Sequence, residues 1–370
     1  MSYSPPPGVV VNLDFITPWS DPDGANLILD PDDSKPDDSE LYTNLFSGPE
    51  KFHEKSLLIF GTSQPDPNTT PTISSTDVLP ALNLSLEDSI ISSSVPYGET
   101  VVGRSMDIAI SNVIRSVTFE TLLPIFTGSP LPLAPWLQAC GGAFSQQDNG
   151  IVFSNTDVST ERLYLEFQRF PENDPVNKNT YGLENAVGIV GLDLTAGKLG
   201  KLNFTFSGNP NLPAYNARIP VDFGNQKVQL LGPLKKSNLL VAQLTDLETN
   251  TTRNFCFYKL QTDNFFGYDI ENLQVSSFEL SERVVSNPVL ALTVLLDTAN
   301  EVASITPEFC LGRRYKLNLS LGTLNNPVIF EWSELCLEDY KNLSVGEYVG
   351  VSIGFRNVGI NSLTFSGTIE

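Results

Sequence analysis

The chain has 370 residues, enough for one large β domain or two ordinary ones, and its 41% hydrophobic content is enough to bury a sizeable core. Against 43 Asp and Glu stand 22 Lys and Arg, a formal net charge of −21, which opposes a grip on DNA phosphates and docking on anionic membranes. A single histidine, His53, excludes His-rich metal sites.

Residues 1–50 differ from the rest. They hold ten of the acids and one lysine, Lys35, so they carry −9 of the charge and leave −12 to the remainder. Proline and like charges in Asp30-Pro31-Asp32-Asp33-Ser34-Lys35-Pro36-Asp37-Asp38-Ser39-Glu40 oppose compact structure. The spacing of a calcium loop fails. Ala25 stands fifth from Asp21, and Leu41 stands twelfth from Asp30, where a bidentate acid belongs. The segment is expected to be a solvated acidic arm or insertion, although Val9 to Phe15 can still form a strand. No basic stretch followed by an apolar one opens the chain, so no secretory signal is expected. Asn-x-Ser/Thr triplets such as Asn203-Phe204-Thr205 are therefore expected to be unmodified. No apolar run is long enough to span a membrane.

Residues 51–370 are expected to form the folded body. Lys51-Phe52-His53-Glu54-Lys55 is strongly charged, and His53 is expected to be exposed and inert. Residues 62–98, rich in Ser, Thr, Asp and Pro, predict a long exposed excursion with at most a ragged strand near Leu79–Leu86. The short helix expected over Pro135 to Gly142 has Pro at its start and Gly at its end. Strands follow from alternation: Leu163, Leu165 and Phe167; Leu202, Phe204 and Phe206; Val349, Val351, Ile353 and Phe355. Turns are expected at Asp148-Asn149-Gly150, Ala196-Gly197-Lys198, Ser207-Gly208-Asn209-Pro210 and Asn325-Asn326-Pro327. The fold class is all-β, a sandwich or barrel of antiparallel strands with one short helix.

Motifs for chemistry are thin. Cys140, Cys256, Cys310 and Cys336 form no CxxC, which argues against a zinc knuckle. Each lies among apolar residues and is expected to be a buried free thiol. Gly-x-Ser-x-Gly is absent. Gly197-Lys198 lacks a phosphate loop's earlier glycine, because 192 is Leu192, and Leu199 replaces the Ser or Thr. Leu295-Leu296-Asp297-Thr298-Ala299 has the form of an aspartic-protease loop, but the chemistry needs a second copy and none exists. Glu331, Glu334, Glu338 and Asp339 lie near Trp332 and Tyr340. That is the composition of a sugar-binding groove or of a polar strand face.

Several motifs matter through their order. They begin with Phe60-Gly61-Thr62-Ser63 and a run from Val101 to Leu123 centred on Ile108-Ala109-Ile110 and Val117-Thr118-Phe119-Glu120. Pro135-Trp136-Leu137-Gln138-Ala139-Cys140-Gly141 and Glu161 to Phe167 follow. Gly182 to Gly188 then leads into Ala196-Gly197-Lys198-Leu199-Gly200 and Lys201 to Gly208. Val345-Gly346-Glu347-Tyr348-Val349-Gly350-Val351-Ser352-Ile353 and a strand through Leu363-Thr364-Phe365 close the series. Together they resemble the tail tube proteins (major tail proteins) of tailed bacteriophages, over roughly residues 56 to 370. The acidic arm departs from that pattern, and basic residues after the Ala-Cys-Gly helix and the glycine turn are sparse.

The resemblance implies a structural, non-enzymatic virion protein of the tail, assembled in the host cytoplasm, with no catalytic, cofactor or metal residue. Its hexameric rings would close an intersubunit β-barrel and stack into the tail tube, a conduit for DNA ejection. Partners would be copies of itself, a tape measure protein inside, tail terminator and baseplate proteins at the ends and, in a contractile tail, a sheath. DNA would pass without specific binding, which an acidic wall suits. The helix at Trp136 is expected on the outside of the sandwich, with ordinary core packing the alternative. The 62–98 excursion is expected to reach a neighbouring subunit or ring. Alternatives are another virion β protein (tail terminator, baseplate ring or capsid decoration protein), a carbohydrate-binding β-sandwich module, or a hydrolase acting through Asp297.

Overall fold

The computed structural model describes residues 57–366 apart from 67, 76, 101–102, 126–132, 148–149, 156–160, 170–176, 212–213, 218–228, 268–288, 297–311 and 347. The acidic arm 1–50, His53, Asp297 and Cys310 lie outside the described residues. The described chain is antiparallel β with one short helix. In order it runs β1 (Leu57–Ser63), β2 (Val78–Thr100), β3 (Gly103–Leu122), β4 (Pro124–Ile125), α1 (Ala134–Ala139), β5 (Gly142–Gln147), β6 (Gly150–Asn155), β7 (Leu163–Arg169), β8 (Asn177–Thr195) and β9 (Lys201–Pro210). It continues with β10 (Ala214–Ala217), β11 (Gln229–Leu230), β12 (Leu239–Asp246), β13 (Thr251–Asn254), β14 (Cys256–Gly267), β15 (Val289–Leu296), β16 (Arg314–Gly322), β17 (Pro327–Val345), β18 (Tyr348–Asn357) and β19 (Asn361–Ser366).

Six strands are linked in a complete circuit of pairings: β1 to β2, β3, β9, β8, β7 and back to β1. The sheet as a whole stays open, because β5, β10 and β13 each pair on one side only. Two long strands carry the chain between layers. β8 pairs with β7 through Asn179–Ala186 and with β14 through Ile189–Thr195. β17 pairs with β19 through Val328–Trp332 and with β18 from Leu335 onward. Between the layers lies one continuous core, running from Ile59, Phe119 and Phe204 to Phe265, Trp332 and Phe365.

The alternating patterns mark the inward faces. Leu202, Phe204 and Phe206 are buried on β9, and Val351, Ile353 and Phe355 on β18. The Ala196–Lys198 turn joins β8 to β9, and the Asn325–Pro327 turn leads from β16 into β17. Ser207–Pro210, expected as a turn, instead continues β9 beside β8. A β-carbon on Gly208 would lie 2.6 Å from the Glu184 carbonyl oxygen. The glycine permits close approach at a bulge rather than a reversal.

The expectation for α1 is corrected as well. Trp136 is 1% exposed and belongs to the core, so the alternative of core packing holds. Its indole meets Phe119, Phe204 and Phe206 with ring centroids 5.6, 6.3 and 5.8 Å away. Two turns of helix bury a tryptophan only by inserting it, and here it plugs the aromatic interior of the six-strand circuit.

The 62–98 excursion is part loop and part strand. Residues 64–77 fold across the outer face of the β1–β7 pair. There Ile73 joins Phe60, Val78 and Tyr164 in a small second cluster. From Val78 onward the chain is a long strand paired with β3, not a ragged fragment near Leu79–Leu86. Its Ser-rich run conceals this because the apolar members of the pairs come from β3.

Candidate functional site

The acids expected beside aromatics on β17 do not form a groove. Glu331 pairs with Lys316 at 2.9 Å, Glu334 with Arg314, and Glu338 with Arg356. Trp332, 1% exposed, lies in the core against Phe265 and Phe330. Tyr340 packs partly against that core, and Asp339 sits in register with Gly354. Alternation along the strand therefore separates Trp332 from the flanking acids, which form a cross-strand ladder of ion pairs. Among the described residues no group of three or more His, Cys, Asp or Glu is placed to hold a metal ion.

Gly197 belongs to a hairpin turn, and its amide donates to the Leu234 carbonyl at 2.7 Å, so it does not cradle a phosphate. The thiols divide. Cys140 is buried, which raises its pKa well above the usual range, Cys336 is half-buried, and Cys256 is exposed against expectation. All three are free.

A polar cluster lies under residues 64–77, on the face of β7 that alternation assigned to solvent. Tyr164 and Glu166 are 6% and 8% exposed. The Thr70 hydroxyl donates to the Glu184 carboxylate at 2.5 Å, and the Asn211 amide donates to the same oxygen at 3.3 Å. The Asn185 amide donates to Gln64 Oε1 at 2.7 Å. These bonds fasten the loop over the strands. Burial first, then the negative charge of Glu166, pushes the Tyr164 phenol up to about 12. An unfolded tyrosine titrates near 10. The unfolded chain thus releases this proton first, and stability should fall between pH 10 and about 12. Urea melts of Tyr164→Phe are expected to be less alkali-sensitive than those of the parent over that window.

The feature left without an internal partner is the distal part of the β2–β3 pair. β1 flanks β2 only at Val78–Ala81, and β9 flanks β3 only at Arg115–Leu122. Beyond these, Asp88–Thr100 and Gly103–Ile114 have only each other as described sheet partners. The substantial neighbours of β2 among the described elements are β1 and β3, and those of β3 are β2 and β9. At about 3.4 Å per residue this two-stranded ribbon reaches roughly 40 Å. The sequence signal for it was the alternation of Met106, Ile108 and Ile110, visible only on β3.

No protein-family model matches the chain, and a search of curated proteins returns no match.

Proposed function

We propose that this chain is a structural subunit of the tail of a tailed bacteriophage, forming hexameric rings that stack into the tube through which DNA leaves. The ribbon carries this reading. An isolated two-stranded hairpin is marginal in water, so a ribbon of this length calls for a surface to lie on. A subunit built to join copies of itself supplies one. The open strands β5, β10 and β13 fit the same role, because unpaired edges are satisfied when subunits meet in a closed ring. The ordered motif resemblance supports the tube in particular. The ion-paired acids of β17 weigh against a sugar groove, and no reactive cluster favours the hydrolase.

Negative-stain microscopy of the purified protein tests the proposal. Stacked rings with a central hole are expected. Particles that remain single subunits at every concentration would overturn it.

A further inference from the structure

We infer that the ribbon docks on a second copy of this chain by one face, not by adding a strand at its edge; the inference rests on the assembly reading above. The pairing register assigns the faces. Leu86↔Val117, Asp88↔Arg115, Ile90↔Val113, Ser92↔Ile110, Ser94↔Ile108 and Pro96↔Met106 fall on one side. Ser89↔Ile114, Ile91↔Asn112, Ser93↔Ala109, Val95↔Asp107 and Tyr97↔Ser105 fall on the other, which is mixed in character. Where the first side enters the body it is the core side, since Val117 and Phe119 are fully buried there. Cover gives out at the rim. Leu86, opposite Val117, is 36% exposed. Past it the same face continues with Ile90, Val113, Ile110, Ile108 and Met106, so the core surface extends beyond its own subunit.

The edges are built differently. The register slips between Ile91 and Ser92, leaving Ser111 as an extra residue on β3, and again between Tyr97 and Glu99, leaving Gly98 extra on β2. Bulges of this kind twist an edge away from further pairing. Pro96 is of a type confined to strands that are not extended sideways. Two slips and a proline guard the edges, while the apolar face carries no such protection.

The size of the face sets the kind of assembly. A strip roughly 40 Å by 10 Å offers about 400 Å² per partner, or about 800 Å² in all. Stable pairs bury about 1,200 Å² or more. One contact is therefore too small to hold an isolated dimer. A closed ring, in which every subunit donates one ribbon and receives another, makes the contact twice per subunit. Closure then supplies the effective concentration that a single contact lacks.

Sedimentation velocity across a concentration series tests this. The wild type is expected as monomer and closed ring with no dimer between them. In Ile108→Asp/Ile110→Asp the concentration needed for assembly should rise roughly 100-fold or more, because a carboxylate is forced against an apolar surface. The control Ser93→Asp/Ala109→Asp adds the same charge to the opposite face and should assemble like the wild type. Both variants should melt like the wild type, and the milder Ile110→Ser stands in should the double aspartate fail to express. Normal assembly of Ile108→Asp/Ile110→Asp would overturn the face assignment and leave the assembly reading standing. Equal loss in the two variants would overturn the face assignment too, pointing to repulsion along the whole ribbon. A wild type that never assembles would overturn both readings.

Discussion

Trp136→Ala is expected to lower the free energy of unfolding by about 3–5 kcal/mol, the range for emptying a packed tryptophan site. The loss falls in the six-strand circuit, where the indole sits among Phe119, Phe204 and Phe206. The neighbouring residue makes the test sharper. A β-carbon on Gly61 would come within 2.5 Å of the Trp136 ring. Gly61→Ala alone should therefore cost about 1–3 kcal/mol through overpacking. In the Trp136→Ala background the same methyl enters vacated space and should cost little. Urea denaturation of the two single variants and the double variant closes the cycle. Strict additivity would show that the helix does not press on β1 as described.

The second large effect concerns assembly rather than folding. Ser89–Ile114 can be excised and Asp88 joined to Arg115 by a two-residue Asn-Gly turn, since those two residues pair directly. The shortened chain keeps Val78–Ala81 on β1 and Arg115–Leu122 on β9, and with them the core. Its melting temperature should stay within a few degrees of the parent's, while rings and tubes should disappear. Calorimetry and light scattering read the two results separately. A shorter cut across residues 65–90 is a poorer test, because it removes Leu79, Ala81 and Leu84 from the core. Tubes of normal length from the shortened chain would remove the ribbon from the assembly.

What could be read beforehand depended on whether a residue's environment is local. Leu202, Phe204 and Phe206 alternate along one strand buried on one face, so period two located both strand and core. The same period misassigned Tyr164 and Glu166. Their outward face is covered by Ile73 and fastened by Thr70 and Gln64, residues far from β7 in the chain. The short helix was legible from its proline and glycine, but its position was not. Inserting Trp136 requires Gly61 on one strand and three phenylalanines on two others. For the candidate surface, Ile90-Ile91-Ser92-Ser93-Ser94 on β2 has no alternation of its own. The apolar face arises only when β3 lies beside it in a slipped register. The acids of β17 were visible, but Lys316, Arg314 and Arg356, which neutralise them, belong to neighbouring strands.

The circuit of strands also bears on how the protein is made. β1 is completed only by β7, through Ile59↔Phe167, and β6 waits for β19, through Ile151↔Phe365. The Asn361 amide donates to Asn155 Oδ1 across 206 positions of chain. Contacts of such separation fold slowly, on a scale of milliseconds to seconds, because a long loop must close first. During synthesis at about 5–20 residues per second, the β2–β3 ribbon leaves the ribosome well before β9 and β19 exist. Its apolar face is then available with no finished subunit to receive it. The segment that joins completed copies is thus also the segment most in need of a chaperone while the chain is young.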